Sequence, residues 1–172
     1  MRLSYYLILT TYYSQKMESK VHRKKTRKLL YQQLFANTFW NLDEEEFYNS
    51  FFDDTFTFDR DEKYLGEMKK IIKEKEWFFV YVIEKYSPKF DFEKMSILNI
   101  LPIYISLAEI FFLDEEIPIK ASVNEAIELA KTYSDDSSKK IVNWVLNKVM
   151  LDFEELEKEK ENFSLEFKSV FK

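Results

Sequence analysis

Asn124-Glu-Ala-Ile-Glu-Leu-Ala-Lys131, followed after a polar break by Ile141-Val-Asn-Trp-Val-Leu146, decides the fold class. Apolar residues in both blocks return every three or four positions, the repeat that defines one face of an α-helix. The spacing predicts two consecutive helices joined by a short polar turn over residues 132–138. The first is expected to open with a capping box, Ser122-Val-Asn-Glu125, whose serine oxygen accepts a free amide while Glu125 reaches back. Val123, Ala126, Ile127 and Ala130 form its apolar stripe. The second is expected to start near Ser137 or Ser138 and to bury Ile141, Val142, Val145, Leu146, Val149 and Met150.

The same period extends upstream. Residues 20–39 read as a first helix with Leu30, Leu34 and Ala36 on its apolar face, and Tyr31, Phe35 and Trp40 adding aromatic area. Asp43-Glu-Glu-Glu46 suits the first turn of a second helix that buries Phe47, Tyr48, Phe51 and Phe52. Residues 61–86 read as a long third helix, ended by Ser87-Pro88. A fourth, from about Phe92 to Leu113, is apolar on most faces, which marks the centre of a bundle. Pro102 is expected to kink or split it. The acidic stretch 152–161 and Phe163–Phe171 read as a further helical extension that packs back. Residues 1–19 read as a strand-prone or poorly ordered extension, and Met17 is a candidate natural start.

Composition excludes several classes. With 46% hydrophobic and 18% aromatic residues the chain has a real core. One Gly rules out a P-loop, which needs two, and argues against Rossmann and all-β folds. The absence of Cys removes disulfides and thiolate metal sites, and a single His removes a multi-histidine zinc site. No cofactor, metal or catalytic residue is expected. No apolar run is long enough to span a membrane, and the cytoplasm is the default compartment.

The net charge of −5 hides a polarity. Residues 1–40 hold Arg2, Lys16, Lys20, Arg23, Lys24, Lys25, Arg27 and Lys28 against the single acid Glu18, and the remainder is acidic. Cations at a helix N-terminus oppose the helix dipole, so folding does not call for them there. They suit a polyanionic partner, RNA above all; the alternative is a solvated, frayed basic tail.

Four blocks together resemble the NusB family. Ile117-Pro-Ile-Lys-Ala-Ser-Val-Asn-Glu-Ala-Ile-Glu-Leu-Ala-Lys131 is similar to the family's I/V-P-x-K-V-x-I-N-E-A-I-E-L-A-K, and Ser138-Lys-Lys-Ile-Val-Asn-Trp-Val-Leu146 to S-x-x-F-V-N-G-V-L. Arg23-Lys-Lys-Thr-Arg27 with Gln33-Leu-Phe35 resembles R-x-x-A-R and A-L-Y, and Met95-Ser-Ile-Leu-Asn99 through Glu109-Ile110 resembles M-S-L-V-D and Y-E-L. The likeness covers roughly residues 20–150. It implies an all-α bundle of about six or seven helices in two helical subdomains. It also implies binding of single-stranded, boxA-like RNA together with a NusE-type small ribosomal protein, within an RNA polymerase antitermination complex on ribosomal RNA operons.

The resemblance carries over residue by residue. Arg23, Lys24, Lys25 and Arg27 would neutralise phosphates. Phe35 would stack on an unpaired base or pack in the core, and Gln32 would read a base edge or be solvated. Ser137, Lys140 and Ile141 lie where backbone amides at a helix start favour anions. Asn99 stands at an acidic position of the family, Tyr104 at an arginine position, and Trp144 replaces the glycine of V-N-G, which is expected to alter local packing. Asn143 is read as a core or capping amide, and His22 as a phosphate contact or plain surface. The two basic stretches, 23–27 and 137–141, are expected to share one face. An interaction module of the same fold, or a ribosomal RNA maturation factor without boxA specificity, is the competing reading.

Overall fold

One segment of the chain has almost no charge, and in the computed structural model of the protein it becomes the central helix. This is α4, Ile97–Phe111, in which Glu109 is the only charged residue. The structure describes residues 23–41, 43–50, 58–114, 117–161, 167 and 169–171. All regular structure among them is helical: α1 over 23–39, α2 Glu44–Asn49, α3 Glu62–Tyr86, α4, α5 Ile119–Tyr133, α6 Asp136–Leu151 and α7 Phe153–Glu159. The N-terminal extension, Met17, His22, Phe51 and Phe52 lie outside the described residues.

Helix α4 packs against α3, α5 and α6, and every residue from Asn99 to Glu109 is buried. A helix that is apolar all round has no solvent face to offer, so it takes the middle of the bundle. It begins at Ile97, not near Phe92. Ser96 caps it by accepting the Leu98 amide at 3.3 Å, and Phe92–Lys94 form a separate 3₁₀ turn. The break in the expected fourth helix therefore falls at Met95-Ser96, while Pro102 sits inside one continuous helix. Packing on all sides holds the turn around its missing N–H.

Local chemistry sets the other ends. Asp43 and Glu46 form a complete capping box for α2. Asp61 caps α3 by accepting the Tyr64 amide at 3.0 Å. The capping box expected at Ser122 does not form. Helix α5 starts a turn earlier, behind Pro118, and Ser122 lies buried inside it. Helix α6 likewise starts at Asp136, just before the expected serines.

The acidic extension packs back in two parts. Lys85 of α3 pairs with Glu155 at 2.8 Å and Glu159 at 3.0 Å of α7, and the Tyr86 hydroxyl donates to Asp152 at 2.8 Å. Residues 167 and 169–171 are not helical. Here Ser169 Oγ donates to Glu76 Oε2 at 2.6 Å and the Val170 amide to Glu76 Oε1 at 2.8 Å. Tyr104, fully buried, donates to the same carboxylate at 3.3 Å.

Candidate nucleic-acid interface

The basic start of α1 divides by residue type. Arg23 and Arg27, four apart, lie on the inward face; Lys24 and Lys25 are exposed and Lys28 half-buried. Arg23 holds Asp61 with Nε at 3.2 Å and Nη2 at 2.9 Å, and its guanidinium lies 4.2 Å from the centre of the Tyr64 ring. Arg27 Nε donates to Glu109 Oε1 at 2.6 Å. The Tyr64 hydroxyl donates to the same oxygen at 2.5 Å, and Ser122 Oγ to Oε2 at 2.6 Å. One carboxylate thus ties α1, α3, α4 and α5 together. Burial, the largest single influence, would lower the Arg27 pKa; the charge and hydrogen bond of Glu109 together with Tyr64 and Glu125 outweigh it, and the net shift is upward. Tyr64 is pushed well above its ordinary value by burial first and the Glu109 charge second. Arg27, read from sequence as a phosphate contact, is an internal structural cation. Asn99 is also internal, 5% exposed, and its carbonyl oxygen has no hydrogen-bond partner among the described residues.

The lysines meet a second element. The Glu128 carboxylate of α5 is held below its ordinary pKa by its hydrogen bond and ion pair with Lys131, with Lys24 of α1 and Lys139 of α6 adding to the effect. Four chain positions from three helices therefore make one charged cluster. Lys139 was not singled out by the sequence reading. Ile141 stands two residues on, about 200° around the helix, so it faces elsewhere. Of the stretches 23–27 and 137–141, expected to share one face, Lys24 and Lys139 act on the same carboxylate, Glu128. The Ser137 hydroxyl is itself engaged, donating to Asp135 Oδ1 at 2.6 Å.

Beside the lysines runs an aromatic row. Tyr133 stacks on Tyr31 at 4.5 Å between centroids, Tyr31 lies nearly parallel to Phe35 at 6.5 Å, and Phe35 meets Phe39 edge-on at 5.1 Å. Trp40 follows at 5.7 Å. Phe35 is half-buried within this row, and Gln32 hydrogen-bonds Tyr133. The spacing 31, 35, 39 places the three α1 rings on one helix face, a signal present in the sequence but not used.

Lys140 and Ile141 line a different feature, an open groove of about 450 Å³ with Tyr86, Ser87, Pro88, Lys89, Phe90 and Trp144. Trp144 lies on the outer side of α6; the residue is 57% exposed and its indole N–H donates to the Tyr86 carbonyl at 3.0 Å. Asn143 is exposed, not a core amide. Among the described residues no group of His, Asp and Glu side chains is placed to hold a metal ion, and no helix is long and apolar enough to cross a membrane.

Residues 22–151 match the NusB family. The chain belongs to that family. Its relatives include the transcription antitermination protein NusB of Clostridium perfringens (strain SM101 / Type A), 34% identical over 131 residues that cover 75% of this chain and 96% of the relative. The protein of that name from Ruminiclostridium cellulolyticum is 32% identical over 133 residues, 77% of this chain and 88% of the relative. With the one from Chloroherpeton thalassium identity is 42%, over 65 residues that are 38% of this chain and 30% of that relative. No solved structure matches the chain. The family match ends at residue 151, so α7 and the segment on Glu76 lie beyond it.

Proposed function

We propose that this chain is an RNA-binding transcription antitermination factor that acts in the cytoplasm. It binds single-stranded, boxA-like RNA together with a NusE-type small ribosomal protein, as part of an RNA polymerase antitermination complex on ribosomal RNA operons. Membership of the NusB family supports this reading. The observation that carries it is the sorting of cations along α1. Its arginines are spent on Asp61 and Glu109, while Lys24 and Lys25 stay exposed, and Lys24 acts with Lys131 and Lys139 on Glu128. Lysines gathered from three helices, Lys24 and Lys131 exposed and Lys139 half-buried, contribute little to the fold, but they release counterions when they meet phosphates. Phe35, Gln32, Ser137, Lys140 and Ile141 are the further contacts proposed.

Filter binding of a boxA-like RNA across a salt series, with and without a NusE-type protein, tests the proposal. The expected result is a linear fall of log K with log salt and tighter binding when the protein is added. A complex that is undetectable or indifferent to salt would reject it. One observation favours the second reading, a NusB-fold interaction module without boxA specificity: Arg27 and Asn99 are both buried and unable to meet RNA.

A further inference from the structure

The groove at the C-terminal end of α3 has the chemistry of a base-binding site. Its walls carry two exposed aromatic rings, Trp144 at 57% and Phe90 at 55%. Its lining includes Lys89 and Lys140 and no acidic residue. No ion pair holds either lysine among the described residues. Two further features fix the site. The Trp144 N–H bond to the Tyr86 carbonyl, at 3.0 Å, sets the plane of the indole before any ligand arrives. Lys148 lies 5.3 Å from the centre of the same ring and adds a third cation at the rim.

We infer that this groove takes an unstacked base of single-stranded RNA, with Trp144 and Phe90 as stacking surfaces and Lys89 and Lys140 on the flanking phosphates. The inference rests on the RNA-binding reading above and adds residues that determine where the strand runs. Charge decides between occupants. An apolar peptide would gain nothing from two lysines that have no ion pair among the described residues, whereas a nucleotide uses the rings and the cations together. A ring already held in place loses little side-chain entropy on binding, which favours tight stacking. The site lies on the flank of α6 that bears Ile141, away from Lys139, so a strand reaching both would have to pass around the N-terminal end of that helix.

The test is fluorescence anisotropy of a short labelled single-stranded RNA with the full chain. Trp144→Leu and Phe90→Leu should each weaken binding by about tenfold, the worth of one stacked base, and leave the salt dependence unchanged. Trp144→Phe, which keeps a ring, should retain most of the affinity. Trp144 and Phe90 are exposed, so thermal unfolding should not move. A second readout does not depend on the loss of a ring: in a Trp40→Phe, Trp77→Phe variant the remaining Trp144 emission should be quenched when RNA is added. Wild-type binding matched by both leucine variants, with no quenching, would overturn the groove alone and leave it to a protein partner. Absence of RNA binding by the wild type at low salt would overturn the function proposed above, and the groove with it.

Discussion

At the scale of residues, the basic run that opens α1 serves two purposes, and side-chain chemistry separates them. Guanidinium is planar and weakly hydrated, so arginine suits a buried pair, whereas the compact, strongly hydrated ammonium of lysine prefers water. Arg27, 7% exposed, therefore closes a four-helix junction, and Lys24, one helical step from Arg23, faces outward. Arg27→Ala leaves the Glu109 charge buried without its cation and should cost about 3–5 kcal/mol in urea unfolding. Lys24→Ala with Lys25→Ala should leave the unfolding midpoint in place and lower the salt slope of RNA binding. Equal loss of stability in both variants would mean that the arginine is no more structural than the lysines. In the sequence the run reads as one cationic patch. The four-residue spacing of the arginines was the clue to their inward face, but their partners, Asp61 and Glu109, are 38 and 82 residues away and no local pattern points to them.

At the scale of elements, the longer helices were legible because their apolar residues recur over several turns, and their ends were less so. Ser122-Val-Asn-Glu125 has the composition of a cap, yet α5 starts earlier because a buried Glu109 takes the serine as a donor, and the helix extends back to Pro118. Tertiary demand overrode a local signal. The extension after α6 was read as helical, but its last residues serve Glu76 instead. That carboxylate, 3% exposed, is pushed above its ordinary pKa of 4.5 by burial, against the lowering effect of its bonds from Ser169, Val170 and Tyr104. The sign follows from linkage. Between pH 4.5 and the raised value the folded chain holds a proton that the unfolded chain has lost, so stability falls as pH rises through this window. Glu76→Gln removes the titration. Unfolding midpoints of wild type and variant, measured from pH 4 to pH 8, should diverge in the wild type's disfavour as pH rises and then run parallel. A constant difference across the range would show that Glu76 titrates normally.

At the scale of the whole molecule, an acidic protein keeps one cationic region by drawing it from three helices. Residues near the chain start, at the end of α5 and at the start of α6 converge on Glu128, an arrangement that only the packed bundle can produce. Glu128, on which all three lysines act, is the point where their combined action can be read. Glu128→Gln removes the partner of Lys131 and the charge felt by Lys24 and Lys139, with no buried contact disturbed. If these lysines grip phosphate as a group, RNA binding should tighten. Its log K against log salt should steepen by roughly 0.7 for each cation newly free to neutralise a phosphate. Thermal unfolding should move little, because the side chain is exposed. The same substitution combined with Lys139→Ala should give back part of the gain, since both act on one surface. An RNA affinity and salt slope indifferent to Glu128 would mean that the strand passes elsewhere, and the gathering of lysines around α5 would then owe nothing to RNA.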